Sequence, residues 1–134
     1  MLGLVYFFVG LGGVAGSLLR YFLSMLAVHV WGNTFPIGTL FINLTGSFIL
    51  GWLTNAFRGS KKVHPYFLTA LTTGVVGSYT TFSTFSYETV HLFETQKYLF
   101  GMLYMLISLF GGLFFVKAGK IISKNGKKEE GRLI

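Results

Sequence analysis

The amino-acid sequence predicts an all-α integral membrane protein with four transmembrane helices, the third of them broken. Two observations carry the prediction. Of the 134 residues, 52% are hydrophobic and only 11% are charged, whereas a soluble domain averages about 25% charged residues. Four apolar stretches are also long enough to cross a hydrocarbon core of about 30 Å, which takes about 20 helical residues. Most of the surface is therefore expected to face lipid, around one compact domain.

Short polar links separate the four apolar segments, which run over Leu2–Val28, Pro36–Phe57, Pro65–Leu92 and Tyr98–Ile121. Pro36 and Pro65 mark helix starts, because a proline in the first turn lacks only an N–H that would have no partner there. No Lys or Arg precedes the first segment, so we expect it to be retained rather than cleaved. Residues 1–122 are predicted to form the transmembrane domain, and residues 123–134 a charged tail that frays into solvent.

Composition excludes several function classes. The chain has no cysteine, no aspartate and four glutamates, and its histidines (His29, His64 and His91) lie near segment ends. No catalytic constellation or side-chain metal cluster is expected from these residues, so the protein is not predicted to be an enzyme. The net charge of +7 lies in one short loop and the C-terminal region rather than along a folded surface. That placement is typical of juxtamembrane charges and not of a nucleic-acid partner.

The third segment departs most from an ordinary lipid-facing helix. Glycines at 74 and 77 are followed by serine or threonine at six of the nine positions 78–86. A broken or polar backbone at membrane depth persists only where protein covers it or where it lines a wet cavity. The bland interpretation is that these hydroxyls bond back to their own helix carbonyls. Their density beside paired glycines favours a functional break, which would expose main-chain groups as an ion site.

Polar residues also form a stripe on the second segment. Thr39, Asn43, Ser47 and Gly51 each follow the previous one by four residues and so share one helix face. Taken alone, Asn43 is better interpreted as interhelical glue. Beside the polar run of the third segment, a shared pathway becomes the favoured hypothesis. Glycines at Gly12, Gly16, Gly111 and Gly112 are interpreted as close helix packing.

Two charged residues lie within or beside the apolar segments. Arg20 lies towards the far end of the first helix, where a functional intramembrane charge and snorkelling to the interface are equally plausible. Glu88 follows the polar run of the third segment, where a functional charge and a place near an interface are equally plausible. On the fourth segment Tyr104 and Ser108 share a face, which is a weak signal. Phe82 and Phe85 are three residues apart inside the hydroxyl run, and their positive ring edges suit an anion.

Three motifs together resemble the Fluc (CrcB) fluoride channels over nearly the whole chain. They read GGVAGSLLRY at 12–21, PIGTLFINLTGSF at 36–48 and GVVGSYTTFSTFS at 74–86. The resemblance implies an antiparallel dimer of four-helix subunits with two fluoride pathways along the interface. It also implies a structural sodium ion (Na+) at the centre, held by the main-chain carbonyls of Gly77 and Thr80 and their copies in the partner.

The resemblance further implies which residues line the fluoride path. Phe82, Phe85 and Asn43 match the family's pore phenylalanines and asparagine, while Thr39, Ser83 and Thr84 match neighbouring polar positions. Tyr104, Ser108 and Glu88 are looser matches. The implied function is passive export of fluoride from the cytoplasm by a multi-pass protein of the cell membrane.

Charge placement bears on the partner. One side of the predicted topology carries nine cations: Arg58, Lys61, Lys62, Lys117, Lys120, Lys124, Lys127, Lys128 and Arg132. The other side carries only Lys97. Cations near helix ends stay cytoplasmic, so both termini are expected inside. An antiparallel homodimer requires insertion in both senses (dual topology). Either the partner is an oppositely inserted homologue, giving a heterodimer, or the late tail charges count for little and a homodimer forms. Without the tail the balance is still three cations against one, so the heterodimer is favoured.

Two other functions compete with the channel hypothesis. A small four-helix proton-coupled exporter of the multidrug-resistance type needs an acidic residue in the middle of a helix. The first helix has none, and Glu88 lies off-centre. A non-transporting assembly factor would use the polar stripes only as glue.

Overall fold

The computed structural model describes residues 2–58 and 63–130, and these are helical throughout apart from short links. The elements are α1 (Leu2–Trp31), α2 (Ile37–Ala56), α3 (Pro65–Thr69), a π-helix (Ala70–Val76), α4 (Gly77–Tyr79), α5 (Phe82–Glu94) and α6 (Tyr98–Glu130). No strand forms in these two ranges. Three helices are long and apolar enough to cross a membrane, over Gly3–Trp31, Ile37–Ala56 and Tyr98–Gly126. The protein is therefore an all-α membrane protein.

Helix starts agree with the prediction better than helix ends. Pro36 is the N-cap of α2, and Pro65 is the first residue of α3. α1 continues past Val28 to Trp31, where Gly32 turns the chain with φ 71°. α6 does not end at Ile121 but continues to Glu130. The helix thus enters the segment predicted as a fraying tail, of which 131–134 lie outside the described residues.

Residues 65–94, called the third segment below, are helical in pieces. α3 passes directly into the π-helix and then into α4, which ends at Tyr79. Thr80 (φ −75°, ψ 159°) and Thr81 (φ −149°, ψ 124°) are extended, and α5 begins at Phe82. We call these two extended residues the break. The wider π-helical turn lies just before it, as π-turns often lie beside functional sites.

Glycines let α1 pack directly on the backbone of the third segment. A Cβ on Gly12 would lie 2.6 Å from the carbonyl oxygen of Ala70, and a Cβ on Gly74 would lie 2.7 Å from that of Val9. A Cβ on Gly16 would overlap the main chain at Val75. The interpretation of Gly12 and Gly16 as packing residues is confirmed, since backbones this close leave no room for a side chain.

α2 and α6 lie side by side and point the same way. Near their starts, the Phe35 and Phe100 rings are 6.0 Å apart. Near the end of α2, the Asn55 side-chain amide donates to the Lys120 carbonyl at 3.2 Å. Between them, a Cβ on Gly111 would lie 2.9 Å from the Leu44 side chain. This pairing places the C-terminal end of α2 level with Lys120 of α6.

Candidate functional site

The break is held by the side chain of Asn43 on α2. The Thr81 N–H donates to Asn43 Oδ1 at 2.8 Å, and Asn43 Nδ2 donates to the Thr81 carbonyl at 3.0 Å. We call this two-bond pairing the clasp. The clasp gives hydrogen-bond partners to the N–H and the carbonyl of Thr81, a residue outside the helix. Leaving these two groups unpaired in apolar surroundings would be costly. Asn43 thus forms hydrogen bonds between α2 and the third segment, as the glue interpretation expects; its place on a shared pathway stays a prediction.

Thr81 also begins α5 with its side chain. Its Oγ1 accepts from the Thr84 N–H at 3.2 Å and donates to Thr84 Oγ1 at 3.0 Å. This is the N-cap arrangement that threonine favours. Sequence reasoning did not single out Thr81 within the hydroxyl run. The signal that could have identified Thr81 is its residue type, because threonine is favoured at the N-cap, immediately before a new helix.

A cavity of about 560 Å³ lies beside the break, and we call it the central cavity. Six of the predicted site residues line it: Asn43, Gly77, Thr80, Phe82, Phe85 and Ser108. Ser47 lines it as well, while its hydroxyl donates to its own helix at the Asn43 carbonyl, at 2.8 Å. The described lining includes no charged side chain. The Ser108 hydroxyl is buried there with no partner among the described residues.

Phe82 and Phe85 both face this cavity but differ in their surroundings. Their ring centroids are 5.8 Å apart. Phe82 is 78% exposed in the single chain, whereas the Phe85 ring lies 5.1 Å from that of Tyr104. The Phe82 side chain therefore lies on the surface of the single chain. The Phe85 ring lies between the central cavity and Tyr104, which belongs to a second polar cluster.

The second cluster surrounds the carboxylate of Glu88. Thr39 Oγ1 donates to Glu88 Oε1 at 2.8 Å, and Tyr104 Oη donates to Glu88 Oε2 at 2.7 Å. Tyr104 is fully buried and Thr39 nearly so. Glu88 and Thr39 also line a smaller cavity of about 290 Å³ near the loop that joins α1 to α2. We call these three residues the carboxylate cluster; it brings together residues from α2, α5 and α6.

The remaining predicted site residues lie away from both cavities. Ser83 and Thr84 are exposed on the first turn of α5, beside Thr81. Arg20 is half-buried on α1 and forms no hydrogen bond or ion pair with another described residue. Neither of the two alternatives for Arg20 is therefore favoured over the other.

The fold and this site define a multi-pass helical membrane protein of the cell membrane. Comparison with known proteins identifies the family. A family model described as "CrcB-like protein, Camphor Resistance (CrcB)" matches residues 7–120. The chain belongs to this CrcB family.

Individual relatives agree with the family match over most of the chain. The chain is 45% identical to "Fluoride-specific ion channel FluC 2" of Geobacillus kaustophilus, over 94% of this chain and 98% of that protein. It is 40% identical to "Fluoride-specific ion channel FluC 1" of Bacillus cereus, over 87% and 85%. It is 42% identical to "Fluoride-specific ion channel FluC" of Ruminiclostridium cellulolyticum, over 87% and 89%.

Proposed function

We propose that this chain is one subunit of a fluoride-selective channel through which fluoride leaves the cytoplasm passively. The observation that carries the proposal is the central cavity. Its described lining combines apolar side chains with a few polar groups and includes no charged side chain. The names of the three relatives described above support it. The proposal is of a transporter and not of an enzyme.

The chemistry of the cavity suits a small, strongly hydrated anion. A pore must replace the water around fluoride with close donors, yet hold the ion weakly enough for it to leave. The Ser108 hydroxyl and the second N–H of the Asn43 amide are such donors, since Asn43 Nδ2 gives only one of its two protons to Thr81. The edges of the Phe82 and Phe85 rings add positive quadrupole without a full charge.

A sodium ion in this protein would need main-chain oxygen ligands. In the part of the chain that the structure describes, no group of three His or Glu side chains could hold a metal ion. The predicted carbonyls fit. α4 ends at Tyr79, and the Thr81 N–H bonds to Asn43 rather than to the helix. Among described residues no donor is recorded for the carbonyls of Gly77 or Thr80. We propose that these two oxygens and their copies in the partner hold Na+ at the dimer centre, where it would add positive charge near the fluoride paths.

A second subunit would complete the central cavity. Phe82 is 78% exposed and Gly77 is exposed in the single chain, although both line that cavity. We propose that an antiparallel partner covers this side, so that the four apolar segments, including the interrupted third segment, pair with those of the partner. The partner is either a second copy or an oppositely inserted homologue, and the cation imbalance favours the homologue.

Cysteine labelling separates the two kinds of dimer. Single cysteines are added at Gly126 and in the 94–97 loop of this cysteine-free chain, and intact cells are treated with an impermeant thiol reagent. Label on the loop position alone is expected, since the cation-rich side should stay inside. Equal labelling of both positions would demonstrate dual insertion and contradict the fixed orientation.

Fluoride efflux from liposomes tests the function itself. Purified protein is reconstituted in liposomes loaded with potassium fluoride, and valinomycin is added while a fluoride electrode follows release. Rapid release without a pH gradient is expected from a passive channel, and chloride should not be released. Release that requires a proton gradient would instead indicate the proton-coupled exporter. No release above empty liposomes, both from this chain alone and when it is reconstituted together with an oppositely inserted homologue, would indicate the assembly factor. In either case the channel proposal fails.

A further inference from the structure

The C-terminal part of α6 extends beyond the helix that it packs against. α2 ends at Ala56, and its Asn55 amide reaches the Lys120 carbonyl. α6 continues from there to Glu130, about ten residues or about 15 Å at 1.5 Å per residue. Since α2 is itself about as long as the hydrocarbon core is thick, Lys120 lies near one membrane surface.

Three lysines lie around this boundary along one face of α6, and we call them the lysine face. Lys117, Lys120 and Lys124 are separated by three and four residues, which places them on the same side of a helix. All three are exposed. None of the three side chains is recorded in a hydrogen bond or ion pair with a described residue. The lysine face therefore presents three cations at headgroup depth, and within the described side chains no anion pairs with them.

An apolar groove borders the lysine face. A depression of about 410 Å³ is lined by Phe114, Ala118, Ile121 and Ile122, with Lys117 at its edge. The side chains of Phe114, Ile121 and Ile122 are 67%, 51% and 54% exposed. The groove runs beside the cations and begins at Phe114, three residues on the membrane side of Lys117. A lysine stem can follow it while the ammonium group reaches the surface.

We propose that this part of α6 binds an anionic phospholipid, with the headgroup phosphate on the lysine face and an acyl chain in the groove. Charge complementarity selects the negative headgroup, and the groove beside the cations gives an acyl chain an apolar surface that extends to Phe114 on the membrane side. Lysines near a membrane surface attract anionic lipid headgroups. The proposal does not depend on fluoride transport.

Trp52 gives a local probe of lipid at this end of the protein. The chain has two tryptophans, and Trp52 lies on α2 beside the same stretch of α6, where a Cβ on Gly119 would come within 2.9 Å of its backbone nitrogen. In the Trp31→Phe variant all tryptophan fluorescence comes from Trp52. Its quenching by brominated phosphatidylglycerol and by brominated phosphatidylcholine, in mixed vesicles, measures the relative affinity for the two lipids.

A preference of about five-fold for phosphatidylglycerol is expected in the Trp31→Phe protein, and it should decrease as salt is raised. Changing Lys117, Lys120 and Lys124 together to Gln should bring the ratio close to one. The matched control is Lys97→Gln, at the opposite membrane surface, which should leave the ratio unchanged.

Several outcomes would overturn the proposal. They are a ratio of one in the Trp31→Phe protein, an unchanged ratio in the triple variant, or an equal decrease in the Lys97→Gln control. Inorganic phosphate added at constant ionic strength should not alter the ratio, and a decrease would mean that the face takes phosphate rather than lipid. If the triple variant does not fold, the single variant Lys124→Gln and the salt dependence of the Trp31→Phe protein carry the same test.

Discussion

The clasp and the carboxylate cluster both tie α2 to later parts of the chain, but they use different groups. In the clasp, a neutral side-chain amide pairs with the main chain of Thr81. In the carboxylate cluster, the hydroxyls of Thr39 and Tyr104 hold the side chain of Glu88. The clasp therefore fixes the backbone conformation of Thr81 beside the central cavity. The cluster fixes the position of the Glu88 side chain through two hydroxyl donors. Glu88 does not line the central cavity, so the comparison indicates how a carboxylate on α5 can be kept out of the described lining of that cavity.

The largest expected effect comes from removing the clasp. Asn43→Leu leaves the Thr81 N–H and carbonyl without partners, and each unpaired buried group costs about 1–3 kcal/mol. We expect a free energy of unfolding lower by about 2–6 kcal/mol and loss of fluoride efflux, measured by thermal unfolding in detergent and by the fluoride electrode.

The matched control for the clasp is Asn55→Leu on the same helix. Its amide also donates to a main-chain carbonyl, that of Lys120, but at the end of α2, where water is near. The Asn55 variant should keep most of its efflux. Equal losses of efflux in the two variants would mean that the clasp matters no more for transport than the hydrogen bond of Asn55.

Removing a ring edge at the central cavity should have the next largest effect. Phe82→Ile and Phe85→Ile keep an apolar side chain but lose the edge that faces an anion. We expect fluoride efflux to fall about tenfold, near the upper limit of what an aromatic edge contributes, while the dimer still assembles. Phe110→Ile serves as the control, because Phe110 is 62% exposed on α6 and does not line the cavity. Unchanged efflux in both test variants would mean that these two rings contribute only to packing.

The carboxylate cluster should respond more weakly, and mainly in stability. Tyr104→Phe keeps the ring packed against Phe85 and removes the donor to Glu88. A hydrogen bond to a charged group is worth about 1.5–3 kcal/mol, and thermal unfolding should register a loss in that range. Thr39→Val removes the other donor, and the double variant should lose a different amount from the sum, since both hydroxyls share one carboxylate. Strict additivity would contradict the shared-acceptor geometry.

The smallest effect is expected at the break itself, from Thr80→Ser. The serine hydroxyl can still donate to the Val76 carbonyl, as Thr80 does at 3.0 Å. Only the methyl group beside Gly46 is lost, at a cost of about 0.5–1.5 kcal/mol. Because sodium is proposed to bind main-chain oxygen, the sodium dependence of efflux should be unchanged. A shift in that dependence would point to the Thr80 side chain as a ligand.

Local signals in the sequence predicted much of the fold. Apolar runs and the two prolines located the helices, and the glycines at 12 and 16 predicted where α1 packs, because these features act within one helix or over one contact. The hydroxyl run also lies where the helix leaves its regular path, at Thr80 and Thr81.

Other features could not be predicted, because they depend on distant contacts. The pairing of Asn43 with Thr81 joins positions 38 residues apart in the chain, and no periodicity specifies it. The same holds for Glu88, whose two donors come from α2 and α6. The extension of α6 to Glu130 was missed because charged residues were taken to end the helix, although lysine and glutamate are good helix formers.

The clasp also has a consequence for the order in which the protein is made. Thr81 cannot leave its helix inside lipid until a partner for its main chain is present. Asn43 precedes Thr81 by 38 residues, so a ribosome delivers α2 before the break emerges. The partner is then already in place when the third segment enters the membrane, and the break forms against a neighbour instead of in bare lipid. A chain with the two segments exchanged would have to insert the polar run first, without that neighbour.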